Sequence, residues 1–159
     1  MESEVNPAYG KVYMTFRLAI LAPLVLSSFT HLWNPVGFPA IFYDEGIYMR
    51  RAMHMIEGQG LQETTFHDHP YFGQIFLGSV LALIGYPNSL EPEASAESIS
   101  SLYAAPRIIM GLLAIADTFL VFKVAEHRYG RRVAFVAAIL FAVMPITWLL
   151  RRIVLDSIL

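Results

Sequence analysis

Long apolar runs constrain this chain more than any other feature. Four stand out, at 13–33, 71–86, 107–126 and 133–150. A helix rising about 1.5 Å per residue crosses a hydrocarbon core of about 30 Å in roughly 20 residues. The first and third runs meet that length, and the fourth meets it by extending past Arg151. The second, YFGQIFLGSVLALIGY, reaches only about 24 Å and is interrupted by Gly73, Gly78 and Gly85. Hydrophobic residues make up 56% of the 159, above the roughly 45–50% of soluble domains. The expected class is therefore an all-α integral membrane protein.

Charge decides how many runs cross. Residues 34–105 carry Asp44, Glu45, Glu57, Glu63, Asp68, Glu91, Glu93 and Glu97 against Arg50 and Arg51. The link HRYGRR between the third and fourth runs holds Arg128, Arg131 and Arg132, and Lys11 and Arg17 flank the first run. The positive-inside rule places the N-terminus and HRYGRR in the cytoplasm. Both lie there only if 71–86 does not cross. The expected topology is three spans, 13–33, 107–126 and 133–150, with 34–105 as one large external loop. The first run has no small-residue cleavage site after it, so it reads as an anchor rather than a signal peptide. The chain stops at Leu159 within IVLDSIL, which reads as the N-terminal portion of a longer protein; the parent gene tests this.

The loop has its own pattern. Met49, Ala52, Met53 and Ile56 recur at helical spacing, with Arg50, Arg51, His54 and Glu57 between them. This predicts an amphipathic helix over 45–57, suited to the bilayer surface, capped by Asp44 and ended by Gly58 and Gly60. A second surface helix is expected over 71–86, with Gly78 and Ala82 as a small-residue packing face. The stretch NSLEPEASAESIS reads as a polar connector, and Pro145 as a kink in the third span.

Net charge is −2, which gives a nucleic-acid partner no electrostatic support. There are no cysteines, which excludes disulfides, thiolate metal sites and cysteine nucleophiles. The candidates for chemistry are carboxylates, histidines and arginines on the external side. Asp44 and Glu45 fit either helix capping or a general base or metal ligand at the membrane surface. His67, Asp68 and His69 precede Pro70, a density of ligands that suits an anion or a metal; as a loop leading into a helix the same residues need no ligand. Candidate metal ligands are Asp44, Asp156 and His67. Arg107, Arg151 and Arg152 serve either as snorkelling anchors or as phosphate forks. Asp156 lies one helical turn after Arg152, as an ion-pair partner or a second acid of a site. Asp117, within the second expected span, is expected to be protonated or paired within the bundle, with Lys123 a candidate partner.

These motifs occur in a telling order. An external D-E with G-x-Y (Asp44, Glu45, Gly46, Tyr48) follows the first span. H-P (His69, Pro70) precedes an apolar helix, Arg107 opens the next span, YGRRVAFVAAILFAVMP follows, and R-x-x-x-D (Arg152 to Asp156) comes last. This resembles the N-terminal part of GT-C glycosyltransferases, in particular the dolichyl-phosphate-mannose protein mannosyltransferases and the bacterial aminoarabinose transferases of lipid A. The resemblance covers about residue 13 to the end.

It implies a multi-span transferase that takes a mannose-like or related sugar from a polyprenyl or dolichyl phosphate. The acceptor would be a protein or lipid on the extracytoplasmic face, with inversion at the anomeric carbon. It implies a catalytic Asp44 with Glu45 beside it, a second acid at Asp156, and a donor-phosphate contact from His69. The charge of a departing phosphate would also suit Arg107, Arg151 and Arg152, and a divalent metal is compatible. Relatives carry H-P-P or K-P where this chain has HDHPY. The fragment alone is expected to be inactive. Two other readings compete. One is a non-catalytic membrane subunit that binds lipid phosphate or assembles with a larger enzyme. The other is a transporter fragment with Asp117 and Asp156 on an ion path.

Overall fold

The computed structural model describes residues 19–60, 71–90, 92, 95–150 and 153. Every regular element among them is helical: α1 (Leu21–Leu32), α2 (Tyr43–Ile56), α3 (Tyr71–Leu83), α4 (Ala96–Tyr129), α5 (Arg131–Val143) and α6 (Pro145–Leu150). His67, His69, Arg151, Arg152 and Asp156 lie outside the described residues, as does the start of the expected first span.

Among the described residues one helix, α4, is long and apolar enough to cross a membrane; α1 and α3 are apolar but shorter. This is fewer than the three expected spans. The run 133–150 is divided because Pro145 has no N–H to donate and pushes the residue before it out of helical geometry. Met144 is accordingly extended, at φ −64° and ψ 129°, and Pro145 opens a new helix. The Thr147 hydroxyl donates to the Met144 and Phe141 carbonyls, at 2.7 and 3.0 Å, and so serves carbonyls at the break.

α4 is longer than its apolar run. Ser95 caps it by accepting from the Ser98 N–H at 3.1 Å, and Glu97 sits in the first turn, where the helix dipole favours an acid. The end of the expected connector is therefore helical. At 34 residues, α4 is about 51 Å long and exceeds the thickness of a bilayer core. Its surplus first turns, with Leu102 and Tyr103, reach into the layer formed by α2 and α3.

Two packing layers result. In one, α4 and α5 form an antiparallel pair joined by Gly130 alone, and α1 lies across both. α5 turns Ala134, Ala138 and Ala142 inward, none of them exposed, so its backbone comes close to its neighbours. The Thr30 hydroxyl of α1 donates to the Ala142 carbonyl at 2.9 Å. On α4, Gly111 faces the backbone of α1; a Cβ there would lie 2.8 Å from the His31 carbonyl oxygen. One buried polar pair crosses the same contact: Thr118 Oγ1 donates to the Ala114 carbonyl at 2.9 Å and accepts from Ser27 Oγ at 2.7 Å.

In the other layer α2 packs on α3. Met49 and Ala52 of α2 join Leu77 and Leu81 of α3, Leu102 and Tyr103 of α4, Tyr86 and Ile153 in one buried cluster. The apolar face expected to rest on the bilayer is thus spent on protein. Gly78 supplies the close approach, against Ala52 and Met55, whereas Ala82, expected on the same packing face, is exposed. Arg51, expected on the polar face of α2, is buried.

Candidate functional site

The loop between α1 and α2, WNPVGFPA, prepares the site. Asn34 adopts φ 46°, a left-handed conformation that Asn tolerates better than most residues. Its side chain accepts from the Gly37 N–H at 3.1 Å, and its carbonyl accepts from the Phe38 N–H at 3.0 Å. The turn so formed leaves the carbonyls of Pro35, Val36 and Pro39 facing one side chain of α4, about three turns from its start. Proline can offer only a carbonyl here, which suits the one side chain that meets them.

That side chain is Arg107. Its Nη1 donates to the carbonyls of Pro35, Pro39 and Val36, at 2.9, 2.8 and 3.4 Å. Its Nε and Nη2 donate to the two oxygens of Glu45, at 3.0 and 2.6 Å. The pair is bidentate and dry, with side-chain exposures of 2% for Arg107 and 0% for Glu45. Glu45 is fully engaged elsewhere too: Oε2 accepts from the Phe42 N–H at 2.8 Å and Oε1 from the Ile153 N–H at 2.9 Å. A buried ion pair returns the cost of its desolvation only when its remaining donors and acceptors are met in this way.

The neighbours Asp44 and Glu45 therefore hold different positions. Phe42 is the residue that flanks α2, and Glu45 reaches back to cap it. Asp44, expected as the cap, stands one place before Glu45 in the first turn, exposed. The reason is geometric: the third residue of a helix can turn its carboxylate back to the flanking N–H, and Glu has the length to reach both that N–H and Arg107.

Of the sequence-derived candidates, the structure brings Glu45 and Arg107 together and ties Glu45 to Ile153, the residue that follows Arg152 in sequence. Arg107 is turned inward to Glu45 and the loop carbonyls rather than outward to solvent. Among the described residues no group of three or more histidine, aspartate or glutamate side chains could hold a metal ion; His67 and Asp156 lie outside that set. Asp117, expected to pair with Lys123, is exposed on α4, and Lys123 is paired with Glu126 at 2.7 Å.

One residue at this site carried no sequence signal. His31, in the last turn of α1, is fully buried and lines a narrow space with Pro35, Pro39 and Arg107. A histidine within an apolar run reads as a residue of the run, and only the packing of α1 on α4 places it beside the arginine. Comparison with protein-family models, with curated proteins and with solved structures finds no match for this chain.

Proposed function

We propose that this chain is the membrane portion of a glycosyltransferase that takes a sugar from a polyprenyl phosphate on the extracytoplasmic face. In this reading Asp44 is the general base and Glu45 with Arg107 positions it. The observation that carries the reading is the Glu45 carboxylate. It accepts from the Ile153 N–H at 2.9 Å while following Asp44 in the chain, and so ties the D-E motif to the residue that follows Arg152 in sequence. An exposed carboxylate on a helix whose next residue is fixed by four hydrogen bonds is held in place for proton transfer.

The chemistry is an acceptor hydroxyl attacking the anomeric carbon as Asp44 takes its proton. The bond from the sugar to the lipid phosphate breaks, the phosphate leaves with the electron pair, and the configuration inverts. The leaving phosphate needs cationic partners. His69, Arg151 and Arg152 are proposed for that role, and Asp156 as the second acid. Arg107 serves from behind as a positioning residue. Three spans, 13–33, 107–126 and 133–150, with the site on the external side, belong to the same proposal.

Transfer from a panel of polyprenyl-phosphate sugars, assayed with the full-length protein in vesicles, tests it. Asp44→Asn is expected to lower turnover by roughly 10²–10⁴-fold with donor binding retained. Unchanged turnover removes Asp44 from the mechanism.

A non-catalytic subunit that binds lipid phosphate is the second reading. It is favoured by the Glu45–Arg107 pair, whose atoms are engaged with each other and with the backbone, which leaves neither residue for chemistry. Donor binding without transfer by the intact protein would select it.

A further inference from the structure

We propose that the outer face of α5 is a binding site for an anionic glycerophospholipid. This rests on the membrane reading of the chain and is independent of any transferase activity. Arg132, Val133, Val136, Ala137 and Leu140 together form an open face along α5. These positions form one helical stripe, which continues to the exposed Val143. From Arg132 to Leu140 the stripe is about 12 Å long, a length of hydrocarbon surface with a guanidinium at one end only.

The charge at that end is uncompensated. Lys123, Arg128, Arg131 and Arg132 cluster around the α4–α5 turn with Glu126 as their nearest carboxylate in sequence. Glu126 is taken by Lys123 at 2.7 Å and Arg131 at 3.3 Å. Arg128 and Arg132 are exposed, and neither has a carboxylate partner among the described residues. An anionic headgroup beside them meets two free guanidiniums, which match phosphate oxygens in geometry. The acyl chain then lies along Val133, Val136 and Leu140.

Free phosphate would use only the charged end and gain nothing from the apolar stripe. A zwitterionic lipid would use the stripe but bring no net charge to the arginines. The anionic phospholipid uses both.

The absence of cysteine allows a clean test. Val143→Cys, beyond Leu140 on the same face, is labelled with a fluorophore, and the full chain is reconstituted in phosphatidylcholine vesicles. Phosphatidylglycerol or phosphatidylcholine with brominated acyl chains is then titrated in. Phosphatidylglycerol is expected to reach half-maximal quenching at a mole fraction at least about fivefold lower, since each arginine near a headgroup is worth about fivefold. Arg132→Gln should reduce that preference by about fivefold, and the double variant with Arg128→Gln should abolish it. Equal quenching by the two lipids overturns the proposal, as does a preference that survives in the double variant. Loss of the preference on adding excess inorganic phosphate identifies a free-anion site and overturns it too. Absence of quenching by either lipid means that α5 does not meet the bilayer, and sinks the membrane reading itself.

Discussion

Glu45 and Arg107, 62 residues apart in sequence, form a buried bidentate ion pair, at 3.0 and 2.6 Å. The pair joins α2, α4, the 33–42 loop and the backbone of Ile153. Removing either partner leaves the other charged and buried, a loss of about 3–5 kcal/mol. Replacing both, as in Glu45→Met with Arg107→Met, is expected to cost less than the sum of the single changes. Denaturant unfolding in detergent micelles measures this. Strictly additive losses would show that the two do not act as a pair.

Asp44 offers the contrast. It is exposed, and among the described residues it has no hydrogen-bond or ion-pair partner, so Asp44→Asn is expected to cost no more than a helix-dipole interaction, about 1 kcal/mol. The same unfolding measurement, set beside Glu45→Gln, separates the two neighbours. A loss at Asp44 as large as that at Glu45 would show that Asp44 also belongs to the frame.

Gly111→Ala places a methyl 2.8 Å from the His31 carbonyl oxygen. Backbone cannot yield as a side-chain tip can, so α1 must move off α4, at a cost of about 1–3 kcal/mol. Leu113→Ala, on the exposed side of α4, is the control and should stay within about 0.5 kcal/mol. Equal melting temperatures for the two variants would mean that α1 and α4 are not closely packed.

Gly130 joins α4 to α5 at φ 81° and ψ 170°, a region that side chains disfavour. Nothing lies within 4 Å of a Cβ added there, so Gly130→Ala tests backbone strain without a clash. A loss of about 1–3 kcal/mol is expected. A neutral result in thermal unfolding would mean that the turn relaxes freely.

The proposed topology sets the turn in the cytoplasm. Tyr129 is 73% exposed beside it, and Tyr129→Cys adds the sole thiol. A membrane-impermeant maleimide should label it only after the cells are opened. Labelling of intact cells reverses the topology and moves the positive cluster to the outside.

Where local rules govern, the sequence was readable. The helix expected over 45–57 forms at Tyr43–Ile56, and that over 71–86 at Tyr71–Leu83. Gly58 follows the end of α2 at φ 73°, and Pro145 interrupts the last run. Each of these depends on residues within a turn of one another: apolar spacing, a missing N–H, a glycine free to take positive φ. The extension of α4 to Ala96 was misread because a polar composition outweighed the Ser95 cap.

What only the tertiary structure decided is which distant groups meet. Sequence set Asp44 and Glu45 side by side as equals; packing buried one against Arg107 and left the other in solvent. It also turned Met49 and Ala52 onto α3 rather than the bilayer, placed His31 beside Arg107, paired Ser27 with Thr118, and gave Lys123 to Glu126 instead of Asp117. The apolar period of α2 specifies a face but not what covers it, and a carboxylate specifies a need for donors but not their source. Those choices follow from how the helices pack and from the cost of burying a polar group without partners, and both are settled only when the whole chain is in place.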